Sequence, residues 1–162
     1  MTLQWEPTGP TRSTWDSLVH EIVRRDPALI CAHLPELMVW LQDLNWPGAQ
    51  HIADFLMALG APVLPHTRTI LQGTGREGQY GFLDQLIDRW PRELVVPLAP
   101  DLLALASLDT HVEADVMALA QLRKHRLGDP GVIRHLVEHK KAVYQTRPSL
   151  LDGLEETRPS TP

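Results

Sequence analysis

Apolar residues recur along most of the chain at the three- and four-residue spacing of an amphipathic helix. The pattern is clear at Ile52, Phe55, Leu56 and Leu59, and six such segments follow one another between residues 34 and 143. No alternating apolar and polar run of useful length indicates a strand. The pattern therefore predicts an all-α fold.

The breaks between these segments are short and contain Gly or Pro, as in Gly60-Ala-Pro62 and Gly128-Asp-Pro130. Short links favour consecutive helices that pack as antiparallel neighbours. Pro35, Pro65 and Pro100 each head an apolar-faced helix, at intervals of 30 and 35 residues. This spacing predicts a short stack of antiparallel helical hairpins, an α-solenoid. A compact helical bundle is the alternative, since proline starts helices in any bundle.

The two ends of the chain differ from this helical body. Residues 1–11 and 146–162 are rich in Pro, Thr and Ser, which predicts flexible tails around one helical domain over residues 12–145. Cys31 is the single cysteine, so neither an intramolecular disulfide nor a zinc site of several thiolates can form. With no secretory leader and no apolar run long enough to span a bilayer, we expect a cytoplasmic protein.

Charge is distributed unevenly along the sequence. Residues 1–122 hold 7 Lys or Arg against 15 Asp or Glu, whereas residues 123–141 hold 6 against 2. An acidic body argues against nucleic-acid binding, which depends on cations that displace counterions from phosphates. It favours a basic protein partner, although an acidic surface also simply keeps a protein soluble. The basic run Arg123-Lys-His-Arg126 fits the end of a helix, where cations offset the helix dipole.

Two strings of residues match sites of known chemistry. Gly73 to Gly78 reads G-x-G-x-x-G, the pattern of a dinucleotide site, but that site requires a preceding strand and the residues before Gly73 continue a helical segment. His135-Leu-Val-Glu-His139 reads H-x-x-E-H, which places two imidazoles one helical turn apart, as in some zinc enzymes. A catalytic zinc needs a third protein ligand, which is not evident, so a metalloenzyme is only a minor alternative. We expect no enzymatic activity, no metal and no cofactor.

The stretch WLQDLNWP at residues 40–47 is predicted to form the corner of a helical hairpin. Asn45 is suited to cap the second helix, and Pro47 is suited to its first turn. Asp43 would lie near the positive end of that helix. Trp40 and Trp46 would pack in the corner, where they bury large apolar areas.

These residues also resemble a bacterial family known as a domain of unknown function. Its hallmark is W-L-Q-D-x-N-W-P, followed by an apolar helix and then L-I-P-H. This chain has WLQDLNWP, then IADFLMAL at 52–59, then Val63-Leu-Pro-His66, with Leu34-Pro-Glu-Leu37 upstream. The likeness is close over residues 34–71.

Further along the chain the likeness is looser. Over residues 77–122 it is partial, and Tyr80 and Phe82 stand where family members tend to carry tryptophans. The basic helix predicted over residues 131–145 has no counterpart in the family pattern. Neither does either tail.

The resemblance implies a small stack of hairpins similar to HEAT repeats, without recognised catalytic residues. It also implies an association with bacterial toxin–immunity systems, in which a small cytosolic protein binds and silences a toxin. We therefore expect an immunity protein that neutralises its cognate toxin by direct complex formation, and not a nucleic-acid or membrane-binding protein. The alternative is a helical-repeat scaffold or regulatory module with a non-toxin partner. The candidate contact residues are six carboxylates expected to lie off the apolar helix faces: Asp84, Asp88, Asp101, Asp109, Glu113 and Asp115.

Overall fold

A computed structural model describes residues 13–43, 45–73, 76–110 and 112–154, and within these ranges the chain is helical with no strand. The α-helices are α1 (Ser13–Ile22), α2 (Pro27–Ala32), α3 (Leu34–Met38), α4 (Ala49–Leu59), α5 (Leu64–Gln72), α6 (Arg76–Phe82), α7 (Arg92–Val95), α8 (Ala99–Ala106), α9 (Ala114–Lys124) and α10 (Pro130–Val143). Short 3-10 helices at Val39–Gln42, Ala61–Val63, Val96–Leu98 and Pro148–Leu154, and one π-helical turn at Leu83–Ile87, extend or join them. The all-α prediction is confirmed.

Helix starts follow the local sequence. Pro35, Pro65 and Pro100 lie in the first turns of α3, α5 and α8, as predicted, because a first-turn residue needs no intrahelical N–H bond. Asp26 and Asp129 cap α2 and α10 by accepting bonds of 2.7 to 3.0 Å from backbone N–H groups. These local rules place helix boundaries without reference to the rest of the fold.

The apolar faces of these helices meet in one continuous core, which runs from Val19 on α1 to Leu154 after α10. Helix α9 packs against α8 over its length and also contacts α6, α10 and the 3-10 helix Pro148–Leu154. Helix α9 is accordingly the central element of the C-terminal half. Among the described residues, no helix combines the length and the apolar character needed to cross a membrane.

The WLQDLNWP corner is only partly as predicted. Trp40 is fully buried in the core, whereas Trp46 and Pro47 are half-buried. Asp43 Oδ1 accepts a bond of 2.9 Å from the backbone N–H of Asn45 and one of 3.1 Å from its side-chain amide. Asp43 therefore closes the corner with an Asx turn, a local structure that Asp and Asn favour.

The predicted helix cap at Asn45 is wrong. Helix α4 begins later, at Ala49, and its N-cap is Gly48, whose φ of 87° is a left-handed value that L side chains rarely adopt. The reason is that the Asx turn holds the Asn45 amide against Asp43, while the chain needs a further reversal before it can enter the helix. Only glycine makes that reversal at low cost.

A second glycine brings α6 against this corner. A Cβ built on Gly81 would lie 1.9 Å from the carbonyl oxygen of Leu41, so only glycine allows the two backbones to approach this closely. Gly78, one turn earlier on α6, has its nearest neighbour at an ordinary 3.7 Å, the Cγ of Gln42. Helix α6 therefore packs closely against the corner at Gly81.

The ordered body extends beyond residue 145. Residues 148–154, expected to belong to a loose tail, form the 3-10 helix Pro148–Leu154, which packs on α9 and α10. Leu154 is buried, and the Arg123 guanidinium donates a hydrogen bond to its carbonyl oxygen. Leu151 and Leu154 pack against the core, although the Ser- and Pro-rich composition of this segment predicted a loose tail. The predicted tails over residues 1–11 and 155–162 lie outside the described residues.

Candidate functional site

The six carboxylates predicted as contact residues have different surroundings. Asp101, in the first turn of α8, accepts hydrogen bonds from Arg68 Nε at 3.0 Å and Gln72 Nε2 at 2.8 Å, both on α5. Its side chain is 11% exposed. Asp101 therefore joins α5 to α8 and presents little free charge to a partner.

Asp88 follows the π-helical turn and bonds to α9. Its Oδ1 accepts bonds from Lys124 Nζ at 2.7 Å and Gln121 Nε2 at 3.0 Å. Burial raises the pKa of Asp88, but the hydrogen bonds from Lys124 and Gln121 outweigh it, so the pKa is lowered from 3.8. Asp88 is half-exposed, and a partner would compete with Lys124 for it.

Asp109 and Asp115 converge on Lys140 of α10. Lys140 Nζ lies 2.9 Å from Asp109 Oδ1 and 2.6 Å from Asp115 Oδ2, and it also donates to the carbonyl oxygen of Leu108. Hydrogen bonds from Lys140 and from His139 Nε2 lower the pKa of Asp109 from 3.8. These contacts fasten α10 to the loop after α8 and to the start of α9.

The prediction that Asp115 lies off the apolar face is wrong. Asp115 and Lys140 are both 0% exposed, and Asp115 also accepts bonds from Thr110 Oγ1 at 2.6 Å and Tyr144 OH at 2.8 Å. Three groups, the Lys140 ammonium and the two hydroxyls, compensate its charge or bond to it and make its burial tolerable. Asp115 has a structural position, with no surface to offer a partner.

Lys140 is fully buried, although its basic neighbours on α10, Arg134 and Lys141, are exposed. Its spacing held the missed signal, because Lys140 stands four residues after Leu136 and three after Val137, both on the buried stripe of α10. A lysine on an apolar stripe predicts a buried carboxylate partner elsewhere in the fold.

Asp84 and Glu113 have no cationic partner in the part of the chain that the structure describes. Within the described residues neither makes an ion pair, and Asp84 bonds only to its neighbour Gln85. Both lie close enough to Tyr80, a half-buried residue on α6, for their charges to act on it: burial raises the pKa of Tyr80, and the charges of Asp84 and Glu113 raise it further. Tyr80, Asp84 and Glu113 are called the acidic patch below. Val112, exposed beside Glu113, adds apolar surface.

The two histidines of the H-x-x-E-H string are both exposed on α10. His139 Nε2 lies 2.9 Å from Asp109 Oδ2, a pairing that the sequence did not predict. Across the described ranges, no group of three or more His, Cys, Asp or Glu is arranged to hold a metal ion.

The G-x-G-x-x-G string has a helical context. Gly73 is the C-cap of α5, and Gly78 lies inside α6, with Gly75 outside the described residues. A helix therefore stands where a dinucleotide site requires a strand. Gly73 and Gly78 instead line a small cavity of about 260 Å³ between α3, α5 and α6, beside the buried ring of Phe82.

Comparison with known proteins identifies a family but no characterised relative. Residues 15–125 match the family described as "Domain of unknown function (DUF5071)", which covers α1 to α9. No curated protein is significantly similar to the chain. Helix α10 and the 3-10 helix after it lie beyond the matched residues. Because the match spans more than half of the sequence, the chain belongs to the DUF5071 family.

Proposed function

We propose that this chain is a non-enzymatic binding protein, and specifically a cytoplasmic immunity protein that neutralises a cognate bacterial toxin by direct complex formation. The observation that carries the proposal is the acidic patch. Asp84 and Glu113 are the two predicted contact carboxylates that no cation of the described chain neutralises. Their charge is therefore available to a partner.

The patch has the composition of a protein contact. A tyrosine supplies a large, rigid surface with a polar end, which is why aromatic residues are enriched at interfaces. Carboxylates beside it attract a basic surface, raise the association rate and disfavour partners of like charge. An acidic body with net charge −5 extends the same field over a longer range.

The toxin assignment rests on the resemblance of residues 40–66 to a bacterial family. Members of that family look like parts of toxin–immunity neighbourhoods. Toxins that act on nucleic acids carry basic active sites, because phosphate binding depends on cations. An acidic patch that covers such a site would inhibit the toxin by blocking its substrate. A stack of HEAT-like hairpins would suit this role, because it presents an extended surface.

The test co-expresses the chain with the candidate toxin encoded beside it. The wild-type chain should restore growth and elute with the toxin as a stoichiometric complex that weakens as salt is raised. The Asp84→Lys/Glu113→Lys variant should bind at least about tenfold more weakly. A Glu21→Lys/Glu93→Lys variant makes the same change in net charge at two exposed glutamates away from the patch, and it should bind like the wild type.

Two results would contradict the proposal at different levels. A toxin that stays fully active with no complex formed would remove the toxin assignment. A protective complex that both double variants form equally well would keep the immunity role but move the contact away from the acidic patch. If the chain instead binds a different, non-toxin protein through Asp84 and Glu113, the alternative of a scaffold or regulatory module is favoured.

A further inference from the structure

A groove of about 1020 Å³ runs between the end of α9, the start of α10 and the 3-10 helix Pro148–Leu154. It lies outside the acidic patch and uses none of its residues. Apolar side chains line it from all three elements: Leu122, Leu127, Ile133, Val137 and Leu154. The groove is thus large enough for several side chains of a bound segment, in the size range of ordinary binding clefts.

Basic side chains surround this apolar floor. Arg123, Arg126, Arg134 and Lys141 line the groove, against one carboxylate, Glu138. Arg126, Arg134 and Lys141 are exposed, and Lys141 pairs with Glu138 at 3.2 Å. The groove therefore carries a local positive excess on a molecule whose net charge is negative.

The turn between α9 and α10 holds one of these cations in an unusual backbone conformation. Arg126 has a φ of 54°, the one positive value at a non-glycine residue in the described chain. Helices commonly end with a left-handed residue, but that residue is usually Gly or Asn, because a Cβ is strained there. An arginine at this position gives up some stability at a residue that lines the groove, the kind of strain that functional sites retain.

We propose that this groove binds an acidic segment of a partner protein, with apolar side chains of the segment on the floor and its carboxylates on the basic rim. Because the rim of the groove is basic, charge complementarity favours an acidic ligand. The apolar floor selects a polypeptide over a nucleic acid, because phosphate contacts need cations and gain nothing from buried leucine or valine. This proposal does not rest on the toxin-inhibiting function, since it concerns a separate surface of opposite charge.

Most of the groove lies beyond the family domain. Of its lining residues, Leu122 and Arg123 fall within the matched residues 15–125, and the others are Arg126 and residues after it. Acidic-segment binding is therefore expected of the full chain and not of the family domain in general. It would give this protein a second partner, or a second contact with the same partner if that partner has both a basic and an acidic surface.

The experiment selects ligands from a random-peptide library displayed on phage, with the full chain as bait and the Arg134→Glu variant for counter-selection. The enriched peptides are synthesised and titrated by fluorescence anisotropy. They should carry an excess of Asp and Glu together with Leu, Ile or Phe, and Arg134→Glu should weaken them at least about tenfold. Arg24→Glu is the matched control, because Arg24 is exposed and lies outside the groove, and it should leave the affinity unchanged.

A second variant tests the apolar floor. Ile133→Ala should weaken the same peptides while the circular dichroism spectrum stays helical, because Ile133 is a half-buried residue at the groove. If no peptide is enriched, if the enriched peptides lack an acidic excess, or if Arg134→Glu binds them as well as the wild type, the proposal is overturned.

Two other occupants of the groove give distinct results, and each would overturn the proposal. If no peptide is enriched on the full chain but acidic peptides are enriched on a chain shortened after Leu154, the chain's own residues 155–162 take the groove. If a single-stranded oligonucleotide binds more tightly than the peptides at physiological salt and Arg134→Glu abolishes that binding, the groove is a nucleic-acid site.

Discussion

Replacement of Lys140 by methionine tests whether a buried ion pair fastens α10 to the family domain. The change keeps a long unbranched side chain but removes the charge that lies 2.6 Å from Asp115 and 2.9 Å from Asp109. Removal of one partner of a buried pair costs about 3–5 kcal/mol, because the other charge stays buried without compensation. Asp115 would still accept bonds from Thr110 and Tyr144, so we expect a loss at the low end, about 3 kcal/mol.

The assay is urea unfolding followed by far-ultraviolet circular dichroism. Lys141→Met is the matched control: Lys141 is the next residue on α10 but is exposed, and it should change the free energy of unfolding by less than about 0.5 kcal/mol. In Lys140→Met/Asp115→Asn neither buried charge remains, and the amide can still accept from Tyr144. The loss in free energy of unfolding of that variant should be about 1–3 kcal/mol smaller than the sum of the losses of the two single variants.

The reasoning is refuted if Lys140→Met stays within about 1 kcal/mol of the wild type, or if the two single changes are additive in the double variant. Either result would mean that the buried charges do not depend on each other. The attachment of α10 would then rest on apolar contacts such as those of Leu136 and Val137.

Two further predictions concern backbone packing and protonation. Gly81→Ala should destabilise the protein by about 2 kcal/mol in urea unfolding, because the new Cβ would meet the Leu41 carbonyl, which cannot rotate away. Gly78→Ala on the same helix has room for a Cβ and should be neutral or stabilising by up to about 1 kcal/mol; equal effects of the two changes would contradict the close approach. Burial lowers the pKa of His125 from 6.5, and its buried Nε2 has no hydrogen-bond partner among the described residues. As the pH falls, His125 therefore takes up a proton in the unfolded chain before it does so in the folded protein. Its contribution to the free energy of unfolding should be complete above pH 6.5 and should be lost as the pH drops from 6.5 through the lower pKa of the folded state. His125→Gln should therefore reduce the loss of unfolding free energy between about pH 7.5 and pH 5.5, and an unchanged loss would exclude His125 as its source.

The sequence by itself determined the all-α class and much of the core. Apolar spacing identified most of the longer helices, and prolines 35, 65 and 100 marked first turns, because both signals are local and repeat within one or two helical turns. Burial of Trp40 was predicted from its place in the hairpin corner. The detail of the corner was not, since the sequence favoured Asn45 as the cap, whereas Gly48 is the N-cap after the Asx turn at Asp43.

The tertiary structure alone decided which charges are available. Asp101, Asp88 and Asp115 have cationic partners that stand 25 to 36 residues away, so no local pattern distinguishes them from Asp84 and Glu113. The basic groove likewise combines the end of α9, the start of α10 and Leu154, which the chain brings together only after folding. The periodicity of apolar residues indicates which side of a helix is buried. The pairing of charges depends on which helices meet, and that is a property of the packed fold.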